Sequence, residues 1–223
     1  MAINRFVDRA AVSAAEAQLA RVAGDGSARH PHLIDLAEGS GAHAARDLAD
    51  AVHLLCSVHG HHPGLIEQAL QICPKGPARK WLDEAVDAFE RERLFLVRLT
   101  SAVGPIPSTP GAAETEATLA AQRHALEILA KSERRGSALG AATALVADWA
   151  PIRSVLDRAA ARAGIDVPAS SMPDEASIVA VIDAECDTPA SERALGFGAE
   201  QMLLQNRGLF DLLAARASAR GDY

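Results

Sequence analysis

Three small residues at four-residue intervals form the feature that most restricts how this chain can fold. Gly136, Gly140 and Ala144 lie within a helical stretch, residues 118–163, and Asp148 continues the same line. Residues four apart share one face of an α-helix, so this helix has a face that is almost bare of side chains. Such a face, which we call the glycine ridge, lets another backbone or a flat ligand approach to contact distance.

The amino-acid composition favours a single all-α domain spanning residues 1–223, with the weakest helical pattern in residues 1–41. Apolar residues make up 49% of the chain and aromatic residues only 4%, so the core must rely on aliphatic side chains. That bias favours helices over sheets. The formal net charge of −7 argues against nucleic-acid binding, because neutralised phosphates supply most of that affinity.

The cysteines and the N-terminus indicate a soluble protein of the cytoplasm. Cys56, Cys73 and Cys186 lack the spacing of a metal site and fit a reducing compartment. Charged residues interrupt the N-terminal segment, so it has no apolar signal core. No apolar run is long enough to span a membrane.

Hydrophobic periodicity predicts an antiparallel bundle of about seven helices. The predicted helices are residues 7–22, 42–60, 63–72 and 78–103, two segments within 118–163 that meet at Gly136, and residues 174–186 and 189–218, with a further helical turn at 33–38. Segments 78–103, 118–163 and 189–218 carry the clearest apolar stripes and should form the centre. Trp149 falls on one of these stripes and is predicted to be a buried anchor.

Several polar residues interrupt the apolar stripes and are candidate binding residues. Asn206 falls in the middle of the last stripe, while Arg93, Arg123 and Arg153 flank stripes on earlier helices. Burying any of them without a partner costs ~1–3 kcal/mol or more. They either pair with one another in a polar layer that fixes helix register, or line a pocket for a polar or anionic ligand. Asp148 either pairs with an arginine such as Arg153 or faces that pocket.

Histidines are concentrated between residues 43 and 62, and one of them has the helical phase to point inward. His59 shares a face with Val52 and Leu55, so it is either a satisfied core histidine or a ligand to a metal or cofactor. His53 and Asp50 fall on the opposite side, which we expect to face solvent. The sequence contains no Glu-x-x-His pattern for a di-iron site, no P-loop and no nucleophile elbow.

An inward histidine followed by a glycine-rich helix resembles the haem-oxygenase-like all-α fold. In that family a proximal histidine binds the haem iron, and a kinked glycine-rich helix covers the other face of the porphyrin. The resemblance implies His59 as the proximal ligand, with Gly136, Ser137 and Gly140 on the distal side. It also implies haem as the cofactor.

Two functions from different classes follow from these patterns. In the first, the bundle binds a flat apolar ligand, such as haem, between His59 and the glycine ridge. Asp148, Arg93, Arg123 and Arg153 would then supply the polar contacts. In the second, a non-enzymatic interaction protein uses the glycine ridge to pack against a partner helix or a second copy of itself.

Overall fold

The computed structural model describes residues 12–134 and 136–221, and within these residues the fold is entirely helical, with ten α-helices. The helices are α1 (Ala14–Asp25), α2 (Pro31–Glu38), α3 (Ala44–His59), α4 (Leu65–Ile72), α5 (Pro77–Ala102), α6 (Ala112–Ala130), α7 (Ser137–Ala147), α8 (Trp149–Ala163), α9 (Glu175–Glu185) and α10 (Pro189–Arg220). A single 3-10 turn, Ser27–Arg29, follows α1. None of the described helices combines the length and apolar character that crossing a bilayer requires.

The all-α class is confirmed, but the number of helices predicted from the sequence is too low. One additional helix is α2, which the sequence indicated only as a turn, and Pro31 occupies its first position. Segment 118–163 forms three helices, α6, α7 and α8, where the sequence indicated two segments that meet at Gly136. Gly136 separates the first two with a φ of 97°, and Asp148 ends α7. The predicted helix at residues 7–22 begins outside the described residues.

Local capping fixes the ends of the two longest helices. α5 follows Gly76 with Pro77 at its start, and it ends at Ala102, two residues before Gly104. α10 has 32 residues and is therefore about 48 Å long. Its N-cap Thr188 and Ser191 satisfy each other's backbone N–H groups, which would otherwise lack partners at a helix start.

The glycine ridge of α7 packs against α10, and these two helices share the most extensive contact between described elements. A Cβ atom added to Gly140 would overlap the Leu195 carbonyl, and one added to Gly198 would overlap the Ser137 carbonyl. Both glycines are therefore required for the backbones to approach this closely. The ridge is filled by a helix of the same chain.

One buried hydrophobic cluster draws residues from all ten helices. Trp149 is only 1% exposed, so its prediction as a buried anchor is confirmed. Its ring packs edge-on against Phe89, with the ring centroids 4.8 Å apart. The indole N–H donates to Glu92 Oε2 at 3.0 Å, so the ring's polar atom is satisfied inside the core.

The prediction that Asp50 faces solvent is wrong. Asp50 is 0% exposed, and both carboxylate oxygens pair with arginines of α10. Arg216 Nη2 donates to Oδ1 at 2.7 Å, and Arg220 Nη1 donates to Oδ2 at 2.6 Å. The two arginines lie near the far end of the sequence, so no local pattern on α3 could reveal them.

Candidate functional site

A cavity of about 240 Å³ lies where the end of α3 meets α4, α5, α6 and α7. We call it the His59 cavity. Its polar lining consists of His59, His61, Gln68, Arg123 and Glu127. The short connection between α3 and α4 forms part of its wall. Glu67 accepts the Gly64 N–H at 2.9 Å and so stabilises the start of α4.

His59 is the last residue of α3 and, as predicted, points into the protein, with only 7% of its surface exposed. Its ring contacts Trp149 and Phe89 edge-on, at centroid distances of 5.6 and 6.4 Å. Burial lowers the pKa of His59 to about 4, an effect that a hydrogen bond with the Asn206 side chain partly offsets. The imidazole is therefore neutral at neutral pH.

Behind His59, a chain of buried hydrogen bonds runs through Asn206 to Asp148. The Asn206 Nδ2 donates to Asp148 Oδ2 at 2.9 Å. Ser27 donates to the same carboxylate twice, through its backbone N–H at 2.7 Å and its hydroxyl at 2.6 Å. The hydrogen bond with Asn206 raises the pKa of His59, as expected when the ring N–H donates to the Asn206 oxygen. This arrangement fixes the orientation of the imidazole.

Asp148 therefore differs from both expectations drawn from the sequence. Its described partners are Ser27 and Asn206 rather than Arg153, and it does not line the His59 cavity. Burial raises the pKa of the Asp148 carboxyl, and the hydrogen bonds from Ser27 and Asn206 counteract that rise. Asp148 affects the cavity only indirectly, because it hydrogen-bonds to Asn206, which in turn interacts with His59.

Arg123 is the predicted binding residue that the structure brings to the same cavity as His59. Its Nη1 donates to the Ser57 carbonyl at 3.2 Å and to the Ser57 hydroxyl at 3.1 Å. Both acceptors are uncharged, and no carboxylate of the described residues forms an ion pair with this guanidinium. Arg123 therefore brings a positive charge to a half-buried position without a direct ion pair, although the Glu127 carboxylate belongs to the same lining.

Arg93 is paired with carboxylates, so its charge is already neutralised. Its Nη2 donates to Glu67 Oε1 at 2.5 Å, and its Nη1 pairs with Glu90. The guanidinium also lies over the Phe89 ring at 5.7 Å. A third group near these carboxylates is His62, and together with Glu67 and Glu90 it forms the described set with metal-ligand spacing. The Arg93 guanidinium already pairs with the negatively charged Glu67 and Glu90. His59 does not belong to this set of possible metal ligands.

Arg153 is also neutralised, by Glu92 at 2.7 Å and by Asp157 at 2.6 Å. Its guanidinium stacks over Phe95 at 4.7 Å. Because Glu92 also accepts the Trp149 N–H, these residues form a buried polar layer between α5 and α8. Arg153 is therefore paired, and it also lines a separate cavity of about 680 Å³ between α1, α8 and α9.

The predicted distal residues do not face His59. Gly140 and Ser137 are covered by α10, and Gly136 lies at the N-cap of α7 beside Ser191 of α10. Ser137 is completely buried, and its hydroxyl has no hydrogen-bond partner within residues 12–134 and 136–221. A porphyrin between His59 and the glycine ridge would need the space that α10 fills.

The size of the His59 cavity leads to the same conclusion about haem. Its volume of about 240 Å³ is below the ~300–1,000 Å³ of pockets that hold drug-sized ligands, and haem belongs to that size class. The residues present therefore do not fit this cofactor.

A larger cavity of about 980 Å³ lies between the α4–α5 connection, the end of α6 and the end of α9. Gly136 is part of its wall, together with the apolar residues Ile72, Leu82 and Leu139. Lys75, Lys131, Glu133, Arg134 and Glu185 give its lining charges of both signs. It is a cleft with a partly apolar and partly charged lining, and it is separate from His59.

The fold and this site define an all-helical protein with a small, partly open cavity next to a buried histidine. By sequence, residues 22–221 match the model of a family of unknown function, DUF6975, and the chain belongs to that family. Neither a curated protein nor a solved structure matches it.

Proposed function

We propose that this protein binds a small carboxylic acid in the His59 cavity. The supporting observation is Arg123, which lines the cavity and has only the neutral oxygens of Ser57 as described partners. A guanidinium binds a carboxylate through parallel N–H···O bonds, which are stronger than bonds to neutral oxygens. A ligand carboxylate would compensate the charge of Arg123.

The site shares His59 and Arg123 with the first function drawn from the sequence, but it does not include the glycine ridge, and the chemistry of the ligand differs. The cavity lies between His59 on α3 and Leu145 on α7, which is the glycine-rich helix. Its small volume and its arginine favour a short acid over a flat apolar molecule. The neutral imidazole of His59 adds a hydrogen-bond acceptor beside the cation.

Isothermal titration with short-chain carboxylates tests the proposal. Replacing Arg123 by Met should weaken binding by about 10- to 100-fold, because a hydrogen bond to a charged group contributes ~1.5–3 kcal/mol. The matched control is Arg98→Met, which removes an exposed arginine from α5 and should leave the affinity unchanged. Equal affinities of the wild type and Arg123→Met would contradict the proposal.

The large cleft supports a second candidate, the binding of an apolar ligand next to Gly136. Its volume of about 980 Å³ suits such a molecule, and Ile72 in its wall is about half exposed. Native mass spectrometry of the purified protein tests this directly. A co-purifying apolar molecule whose occupancy falls in Ile72→Asp supports it, whereas retention in that variant assigns the molecule to another place.

An interaction protein acting through the glycine ridge has weaker support. The ridge meets the requirement for close helix approach, but α10 of the same chain already occupies it. A partner helix or second copy would have to displace α10 from the core. Light scattering of the wild type shows whether the chain associates at all.

A further inference from the structure

We infer that the ligand of the His59 cavity is an apolar α-amino acid, whose carboxylate binds Arg123 and whose ammonium group binds His59 and Gln68. This inference rests on the proposed function and makes it more specific. It follows from the balance of hydrogen-bond donors and acceptors around the cavity, together with the apolar remainder of its wall.

Gln68 supplies the first acceptor that lacks a donor. Its Nε2 donates to the Pro63 carbonyl at 3.0 Å, which holds the side chain at the start of α4. Its Oε1 is buried and has no hydrogen-bond partner among the described residues. An unsatisfied buried acceptor is costly, so a ligand N–H reaching it from the cavity would be stabilised.

His59 supplies the second acceptor. One ring nitrogen serves the hydrogen bond with Asn206, and that bond is fixed because Asn206 is itself held by Asp148. The neutral imidazole has a lone pair on its other nitrogen. Since His59 lines the cavity, that nitrogen can accept a hydrogen bond from a bound ligand.

Glu127 adds negative charge to the same lining. Its carboxylate receives a hydrogen bond from Lys131 at 2.5 Å, and this interaction lowers the pKa of Glu127. The carboxylate is therefore ionised at neutral pH. Because Lys131 already pairs with this carboxylate, the cationic group of a ligand would bind Gln68 and His59, while Arg123 would bind its anionic group. An ammonium group offers three N–H donors, whereas a hydroxyl group offers one.

The rest of the wall is apolar and determines the expected side chain of the ligand. It consists of Val58, Pro63, Leu65, Phe89, Leu126 and Leu145. A water molecule occupies about 30 Å³ in the liquid, so the cavity has the volume of roughly eight waters. This space fits an aliphatic amino acid such as leucine, and a charged side chain would find no partner at the apolar wall.

Titration of the wild-type protein with four matched ligands tests the inference without any mutation. Leucine is compared with isocaproate, which lacks the amino group, with leucic acid, which has a hydroxyl in its place, and with leucinamide, which lacks the carboxylate. We expect leucine to bind at least about tenfold more tightly than each of the other three, because each loses one charged contact.

Variants of α4 then test whether Gln68 binds the ammonium group of the ligand. Gln68→Leu should reduce the preference for leucine over isocaproate, while Gln71→Leu, on the exposed side of the same helix, should preserve it. If isocaproate binds as tightly as leucine and Arg123→Met weakens both, the amino-acid inference is wrong and the carboxylate proposal stands. If none of the four ligands binds, both proposals are overturned.

Discussion

Asn206 of α10 donates its side-chain N–H to Asp148 Oδ2 at 2.9 Å, and each residue is only 1% exposed. The bond joins the longest helix to the junction between α7 and α8. Ser27 adds two more donors from the turn after α1, so one carboxylate connects three distant segments of the chain. Asn206 also contacts His59, which makes the orientation of the imidazole depend on this bond.

Replacing Asp148 with Asn should lower the free energy of unfolding by roughly 1–3 kcal/mol, because the amide NH₂ would face donors from Ser27 and Asn206. Urea denaturation measures this change. The control is Asp211→Asn, since the Asp211 side chain is 76% exposed and its pairing with His30 should contribute little. An Asp148→Asn protein as stable as the wild type would show that these hydrogen bonds do not stabilise the fold.

Replacing Gly140 with Ala should destabilise the protein by roughly 1–3 kcal/mol or more, because the added methyl group overlaps the Leu195 carbonyl and forces α7 and α10 apart. The matched control is Gly24→Ala in α1, where an added Cβ meets nothing within 4 Å. There the better helix propensity of alanine should be neutral or slightly stabilising. Thermal unfolding of both variants makes the comparison, and equal effects would contradict the close packing of α7 on α10.

The helical class and the inward direction of His59 could be predicted from the sequence, because both depend on local periodicity. The sequence also showed that the polar residue Asn206 interrupts the apolar stripe of the last helix. Its partners could not be predicted, since Asp148 lies 58 residues away in the chain and His59 lies on a much earlier helix. Contacts between distant segments depend on tertiary packing, which a helical pattern does not encode.

The glycine ridge illustrates the same limit. The sequence showed correctly that a backbone could approach Gly140, but it could not show whether a ligand, a second copy or the same chain would do so. The answer depends on α10, where Gly198 provides a matching bare position. The sequence contained no sign of the buried Gln68 Oε1 acceptor either. Its position depends on the hydrogen bond that the Gln68 Nε2 donates to the Pro63 carbonyl, which forms only in the folded chain.

Haem titration should show no His59-dependent binding. The His59 cavity measures about 240 Å³ and α10 covers the ridge, so the protein has no space for a porphyrin next to this imidazole. Absorption spectra of wild type and His59→Leu with added haem should therefore have the same Soret band. A shifted band in the wild type that disappears in His59→Leu would contradict this expectation and restore the role drawn from the resemblance.

The stability of the protein should depend on pH through His59. The pKa of His59 is about 4 in the folded state against 6.5 for an ordinary histidine, so between these values the unfolded state binds more protons than the folded state. Stability contributed by the neutral imidazole is therefore complete above about pH 6.5 and is lost as the pH falls towards 4. The loss across this window is on the order of 3 kcal/mol.

Urea denaturation at several pH values between about 4.5 and 7 measures this effect. The variant His59→Leu has no imidazole to titrate, so its free energy of unfolding should fall less steeply towards low pH than that of the wild type. Subtracting the two curves removes the contributions of the remaining groups, including Asp148, whose raised pKa acts in the opposite direction. Parallel curves for the two proteins would show that His59 is not held neutral by burial, which would also remove its role as an acceptor in the cavity.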